Sequence, residues 1–135
     1  MADGWVLIDT SAWIHALRPT GLPGARHRVR DLLVEGRAAT CEMIILELVN
    51  GTRTEGEYRE LREGLEALPQ FPVTAAVWRA AYRLAYTLHR KGFTIPATDY
   101  LIAAVAMTYP CRLLHYDRHF DLLARHVGLA VWTPS

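Results

Sequence analysis

Trp5-Val6-Leu7-Ile8-Asp9-Thr10-Ser11 sets a short apolar run of strand type directly against an acid and two hydroxyl residues, the composition of a helix start. A strand with no polar residue on either face must be covered on both sides, as in parallel sheets whose crossovers are helices. The rest of the chain alternates in the same way. Leu22, Ala25, Val29, Leu32 and Leu33 predict a helix over 22–35 that stops at Gly36. A short strand is expected over 38–41 and a helix over 43–50, with Gly51 as its C-terminal cap. Tyr58, Leu61, Leu65 and Leu68 mark a helix over 54–68 ended by Pro69, after which 71–73 fits a short edge strand. Val77, Ala81, Leu84 and Leu88 recur at helical spacing and predict a helix over 75–91, while Pro96 suits the first turn of another through 107. A strand over 112–115, a helix over 120–126 and a strand over 130–132 complete the pattern. The expected fold is α/β, a single domain over 1–135 with a central parallel sheet of four or five strands flanked by helices.

Composition narrows the function classes. Hydrophobic residues make up 51% of the chain and charged residues 21%, which suits a domain with a real core and excludes disorder. The longest apolar stretch, 101–107, is too short to cross a bilayer, so no membrane association is expected. Residue 3 is an acid where a signal peptide carries positive charge, which points to a cytoplasmic protein. Cys41 and Cys111 show no pairing pattern and read as buried thiols. With a net charge of only +1, nucleic-acid binding must rest on local clusters of cations. Arg79, Arg83 and Arg90 share a helical face, Arg26, Arg28 and Arg30 surround His27, and Arg118 adjoins Asp117. Each set is either a solvated face or a contact for an RNA backbone.

The acids divide into two kinds. Glu55, Glu57, Glu60, Glu63 and Glu66 alternate with arginines on a solvated helix. Asp9, Glu47, Asp99 and Asp117 are instead embedded in apolar segments, where a lone carboxylate costs several kcal/mol unless compensated. In parallel α/β sheets, ligands gather outside the carboxyl ends of the strands. Asp9 and Asp117 fall at two such ends. Asp99 opens a helix whose matching face carries Ile102, Ala103 and Ala106, and Glu47 lies one to two turns into the helix after the second strand. Each has a plainer reading: an N-cap for Asp9, a helix-dipole partner for Asp99, a turn or cap for Asp117, an arginine partner for Glu47. Taken jointly, they fit one crevice. Four carboxylates there would repel one another, and a divalent ion of the kind that prefers oxygen ligands, Mg²⁺ or Mn²⁺, relieves the repulsion. Such a site can activate water for attack on a phosphodiester without a covalent nucleophile.

Four blocks, in order, carry a family likeness: Leu7-Ile8-Asp9-Thr10-Ser11-Ala12-Trp13-Ile14, Glu47-Leu48-Val49-Asn50-Gly51, Pro96-Ala97-Thr98-Asp99-Tyr100-Leu101-Ile102-Ala103-Ala104 and Leu113-Leu114-His115-Tyr116-Asp117-Arg118-His119-Phe120. Over essentially its whole length the chain resembles the PIN-domain ribonucleases, in particular VapC-type toxins of bacterial toxin–antitoxin modules. The resemblance implies a parallel-sheet sandwich and Mg²⁺- or Mn²⁺-dependent endonuclease activity on structured RNA such as tRNA or rRNA. It also implies inhibition by a small cognate antitoxin protein, and a homodimer is expected. Asp9, Asp99 and Asp117 match the family's metal-binding aspartates, and Glu47 its glutamate. Ser11 matches the hydroxyl two places after the first aspartate, which can orient that carboxylate or a bound water, or simply cap the helix. Many relatives carry a further acid two positions after the fourth acid; His119 stands there, which favours one ion over two. The apolar stripes of 22–35 and 54–68 suit an antitoxin groove, a dimer contact or packing on the sheet.

Other readings fit less well. A phosphatase using Asp9 as nucleophile wants a second aspartate where Ser11 stands. A non-catalytic binding module with an acidic pocket of the response-regulator kind needs a lysine near the last strands, and the only lysine is Lys91. Cys111, His115 and His119 have zinc-like spacing but lack a fourth ligand.

Overall fold

The computed structural model describes residues 4–134; residues 1–3, on which the reading of the N-terminus rests, and residue 135 lie outside it. β1 (Trp5–Ile8) is followed by α1 (Thr10–Leu17), α2 (Pro23–Val34), β2 (Ala38–Ala39), α3 (Glu42–Val49) and α4 (Glu55–Glu66). Then come α5 (Ala75–Arg90), α6 (Ala97–Thr108), β3 (Cys111–Leu114) and α7 (Arg118–Val127). The strands form one parallel sheet in the order β2-β1-β3, with Val6 opposite Ala38 on one side and Arg112 on the other. β1 is therefore central. Val6, Leu7 and Ile8 are all 0% exposed, which is why the segment tolerates no polar residue before Asp9.

Among the described residues the sheet has three strands rather than four or five. Near the stretches expected as strands over 71–73 and 130–132 there are only isolated bridges, Thr40–Gln70 just before the first and Leu113–Val131 within the second. Pro72 has no N–H to extend a ladder, and beyond Trp132, whose N–H donates to Leu113, Pro134 lacks one as well. Gly51 is not the left-handed cap expected of it. α3 ends at Asn50 in right-handed backbone, and the Thr52 hydroxyl donates to the Val49 carbonyl at 2.7 Å, satisfying one helix-end acceptor without a positive φ. Gly36 does leave its helix at φ 69°, as predicted.

α6 is buried without interruption from Asp99 to Ala106. It packs on α5, β3, α3 and α7, so it has no solvent face along that stretch and its sequence is apolar all round. This packing holds Asp99 inside the protein. Among the described residues, no helix is long and apolar enough to cross a membrane.

Candidate active site

Two of the acids are helix caps, and the caps hold them where the strands end. Asp9 leaves β1 in extended backbone and caps α1, its Oδ2 accepting from the Ser11 N–H at 3.0 Å and the Ser11 hydroxyl at 2.5 Å. Its own N–H donates to the Leu114 carbonyl at 3.0 Å, locking the end of β1 to the end of β3. Asp117 caps α7, accepting from the His119 N–H through Oδ1 at 2.9 Å. The cap explains why α7 begins at Arg118, ahead of the periodic apolar residues. The Ser11 oxygen also accepts from the Tyr116 N–H at 3.0 Å, so one hydroxyl ties the first acid to the chain leading into the fourth.

Glu47 projects from α3 and accepts a 2.6 Å hydrogen bond from the Thr10 hydroxyl. It thus pairs with a threonine of α1 rather than with an arginine. Asp99, in the first turn of α6 and 8% exposed, has its Oδ2 3.1 Å from His119 Nδ1. Asp117 Oδ1 lies at the same 3.1 Å from that nitrogen. Among the described residues, Asp99, Asp117 and His119 form the cluster whose ligand atoms are close enough to share a metal ion.

The electrostatics link all four acids. Burial pushes the Asp9 carboxyl up to about 6, against the opposing hydrogen bonds from Ser11, and Glu47 adds to the rise. Burial also raises Asp99 to about 6; Asp117, Asp9 and Glu47 repel its charged form, while His119 favours it. The Asp99 carboxylate therefore feels each of the other three. Cys41, beside them, is raised to about 11 by burial and by Asp9 and Glu47, so it stays a thiol and is no nucleophile.

Other candidates fall apart. Cys111 Sγ turns toward the Ala106 carbonyl, His115 accepts from the Asp117 N–H and faces Asp121, and His119 faces the acids, so no zinc site forms from the three. Arg79, Arg83 and Arg118 are exposed, and no arginine is among the largest influences on Asp9 or Asp99. Arg83 stacks on Tyr86 of its own helix. Two participants escaped the sequence: Thr10, whose only signal is its place between Asp9 and Ser11, and His119, which read as a missing acid yet faces two present ones.

A family model described as PIN domain matches residues 6–126. The chain belongs to the PIN domain family. This PIN domain is 38% identical over 128 residues to VapC ribonuclease Mb1587 of Mycobacterium bovis, covering 92% of this chain and 95% of that protein. It is 32% identical to ribonuclease VapC21 of Mycobacterium tuberculosis, covering 87% and 85%. In fold it is similar to a chain of the DNA-bound VapBC from Salmonella typhimurium, with a TM-score of 0.77, 19% identity and coverage of 96% and 97%.

Ser11→Ala in this PIN domain removes the hydroxyl shared by Asp9 and the Tyr116 N–H. Leaving those groups short of a partner is expected to lower stability by about 1–3 kcal/mol. Urea unfolding of the variant beside the parent protein checks this.

Proposed function

We propose that the chain is a divalent-metal-dependent endoribonuclease, the toxin of a toxin–antitoxin pair, with Asp9, Glu47, Asp99 and Asp117 as its catalytic and metal-binding residues. The observation that carries the reading is Asp99: a buried carboxyl repelled by three other acids, in a chain akin to VapC ribonucleases. A cation is the natural counterpart of that charge. The donor set suits one, because His119 Nδ1 is buried beside two carboxylate oxygens yet has no hydrogen-bond partner. Mg²⁺ fits the carboxylates, with Mn²⁺ as the alternative. When bound, such an ion stabilises phosphate charge and lowers the pKa of water.

The chain's own residues supply the rest. Asp9 and Asp117 are held by caps that need no ligand, so the site is organised in advance. Ser11 fixes the orientation of Asp9, and Thr10 that of Glu47. Arg118, next to Asp117 and exposed, is the candidate for contact with an RNA phosphate, and exposed Arg79 and Arg83 on α5 are candidates for contact with the RNA backbone. The test is incubation of total RNA with the purified protein and Mg²⁺ or Mn²⁺, against EDTA, with the cleaved ends mapped. Cleavage that ignores EDTA would defeat the metal reading.

We assign the antitoxin to an apolar groove. A groove of about 870 Å³ opens between α1, α3 and α4, floored by Trp13, Leu48, Leu61, Leu65 and Leu68 and bounded at one point by Glu47. A peptide seated there on apolar contacts would lie beside Glu47. Leu61→Glu is expected to weaken capture of the cognate antitoxin by at least about tenfold, since one good apolar anchor is worth a kcal/mol or more. Titration with purified antitoxin measures it, and unchanged affinity would exclude the groove.

A further inference from the structure

One histidine lies against the two acids whose ligand atoms come together, Asp99 and Asp117. His119 follows Asp117 by two residues in α7, and its N–H donates to Asp117 Oδ1, which pins its backbone beside that acid. Its Nδ1 is shut off from solvent and lies 3.1 Å from Asp99 Oδ2 and 3.1 Å from Asp117 Oδ1. Neither contact has hydrogen-bond geometry, so the in-plane lobe of Nδ1 lies along neither. The spacing instead suits a shared third atom. Neighbouring ligands of an octahedral ion with bonds of about 2.1 Å stand about 3.0 Å apart.

We propose that His119 Nδ1 is itself a ligand of the metal ion, alongside Asp99 and Asp117, making the site a mixed nitrogen–oxygen site that prefers Mn²⁺ to Mg²⁺. The inference rests on the metal-dependent reading above and narrows it. Mn²⁺ shares with Mg²⁺ a preference for carboxylate and water oxygen, but as a transition ion it also accepts an imidazole nitrogen, which Mg²⁺ disfavours. Where an acid at this position would complete an all-oxygen set, histidine removes one negative charge and adds a softer donor. The preference then follows from the ligand and not from the fold, which Asp9, Asp99 and Asp117 share with any oxygen-only version of the site.

The experiment titrates the purified protein with Mn²⁺, followed by electron paramagnetic resonance, and repeats the titration in competition with Mg²⁺. Pulsed measurement of the bound Mn²⁺ then reads coupling to a directly coordinated ¹⁴N. The parent protein is expected to show that coupling, and His119→Asp, which returns the oxygen donor, to lose it. The same substitution is expected to shift the Mn²⁺-to-Mg²⁺ affinity ratio toward Mg²⁺ by about tenfold, within the range that changes of metal surroundings produce. Bound Mn²⁺ without nitrogen coupling in the parent, or an unchanged ratio in a folded His119→Asp, overturns the ligand assignment and leaves the acid site standing. No Mn²⁺ binding, or binding that Asp99→Asn leaves intact, overturns the acid site as well.

Discussion

Purified Asp99→Asn protein is expected to lose RNA cleavage by at least about 10²–10³-fold, the scale on which removal of a single charge-stabilising group acts. The substitution keeps the shape of the side chain and removes only its charge. Asp99 is suited to this test because its burial comes from α6, whose Asp99–Ala106 stretch is packed whatever the site contains. The variant should therefore fold, with a far-ultraviolet spectrum and a cooperative melt like those of the parent. What it lacks is the carboxylate that feels Asp117, Asp9 and Glu47 together. Cleaved ends are mapped in total RNA exposed to each protein with Mg²⁺ or Mn²⁺. Full activity in a folded Asp99→Asn protein would sink the site assignment. Asp9→Asn should behave alike, since Asn caps a helix as well as Asp does.

The second large effect is on stability, and its sign runs against the usual expectation for removing a buried acid. The Asp9 carboxyl is raised from 3.8 to about 6, chiefly by burial. The folded state therefore holds its proton more tightly than the unfolded state does. Below pH 3.8 both states are protonated and the burial carries no charge penalty. As pH rises from there through about 6, the folded protein must ionise an inner group, and metal-free stability falls. Asp99, raised to about 6 as well, contributes in the same direction. Above pH 6 the penalty is fully present. Asp9→Asn removes it, so in EDTA at pH 7.5 the variant is expected to be more stable than the parent by about 1–3 kcal/mol. That difference should shrink at pH 4.5. A divalent ion at a hundred times its Kd should return about 2.7 kcal/mol to the parent and much less to the variant, closing most of the gap between them. Thermal melts at both pH values, with EDTA and with Mg²⁺, check all of this. A metal-free parent more stable than Asp9→Asn at pH 7.5 would contradict it.

The plain and functional readings of the acids turn out to be compatible. Asp9 and Asp117 are N-caps, and they are also the acids that shape the charge at Asp99. A cap consumes hydrogen-bonding capacity without neutralising charge, so it can fix a carboxylate in place while leaving its field intact.

The central strand, the buried helix and the apolar settings of Asp9 and Asp99 could be read from the residues alone. Each depends on local pattern: Val6-Leu7-Ile8 has no polar residue to put outside, 99–106 has no polar face, and Asp9 and Asp99 stand where apolar neighbours would otherwise be packed. The number of strands could not be read, because a ladder needs donors on two segments at once, and Pro72 and Pro134 supply none. The cap of α3 was misread for a similar reason, as the Thr52 hydroxyl does the work expected of Gly51. The contacts that complete the site belong to tertiary structure. Thr10 meets Glu47 across 37 residues of chain, and His119 meets Asp99 only because α6 and α7 pack with their N-termini together at the sheet's end. Local periodicity determines which side of an element is buried. Which atoms come within 3 Å of one another is decided by how the elements stack, and on that depends whether His119 is a lost acid or a gained ligand.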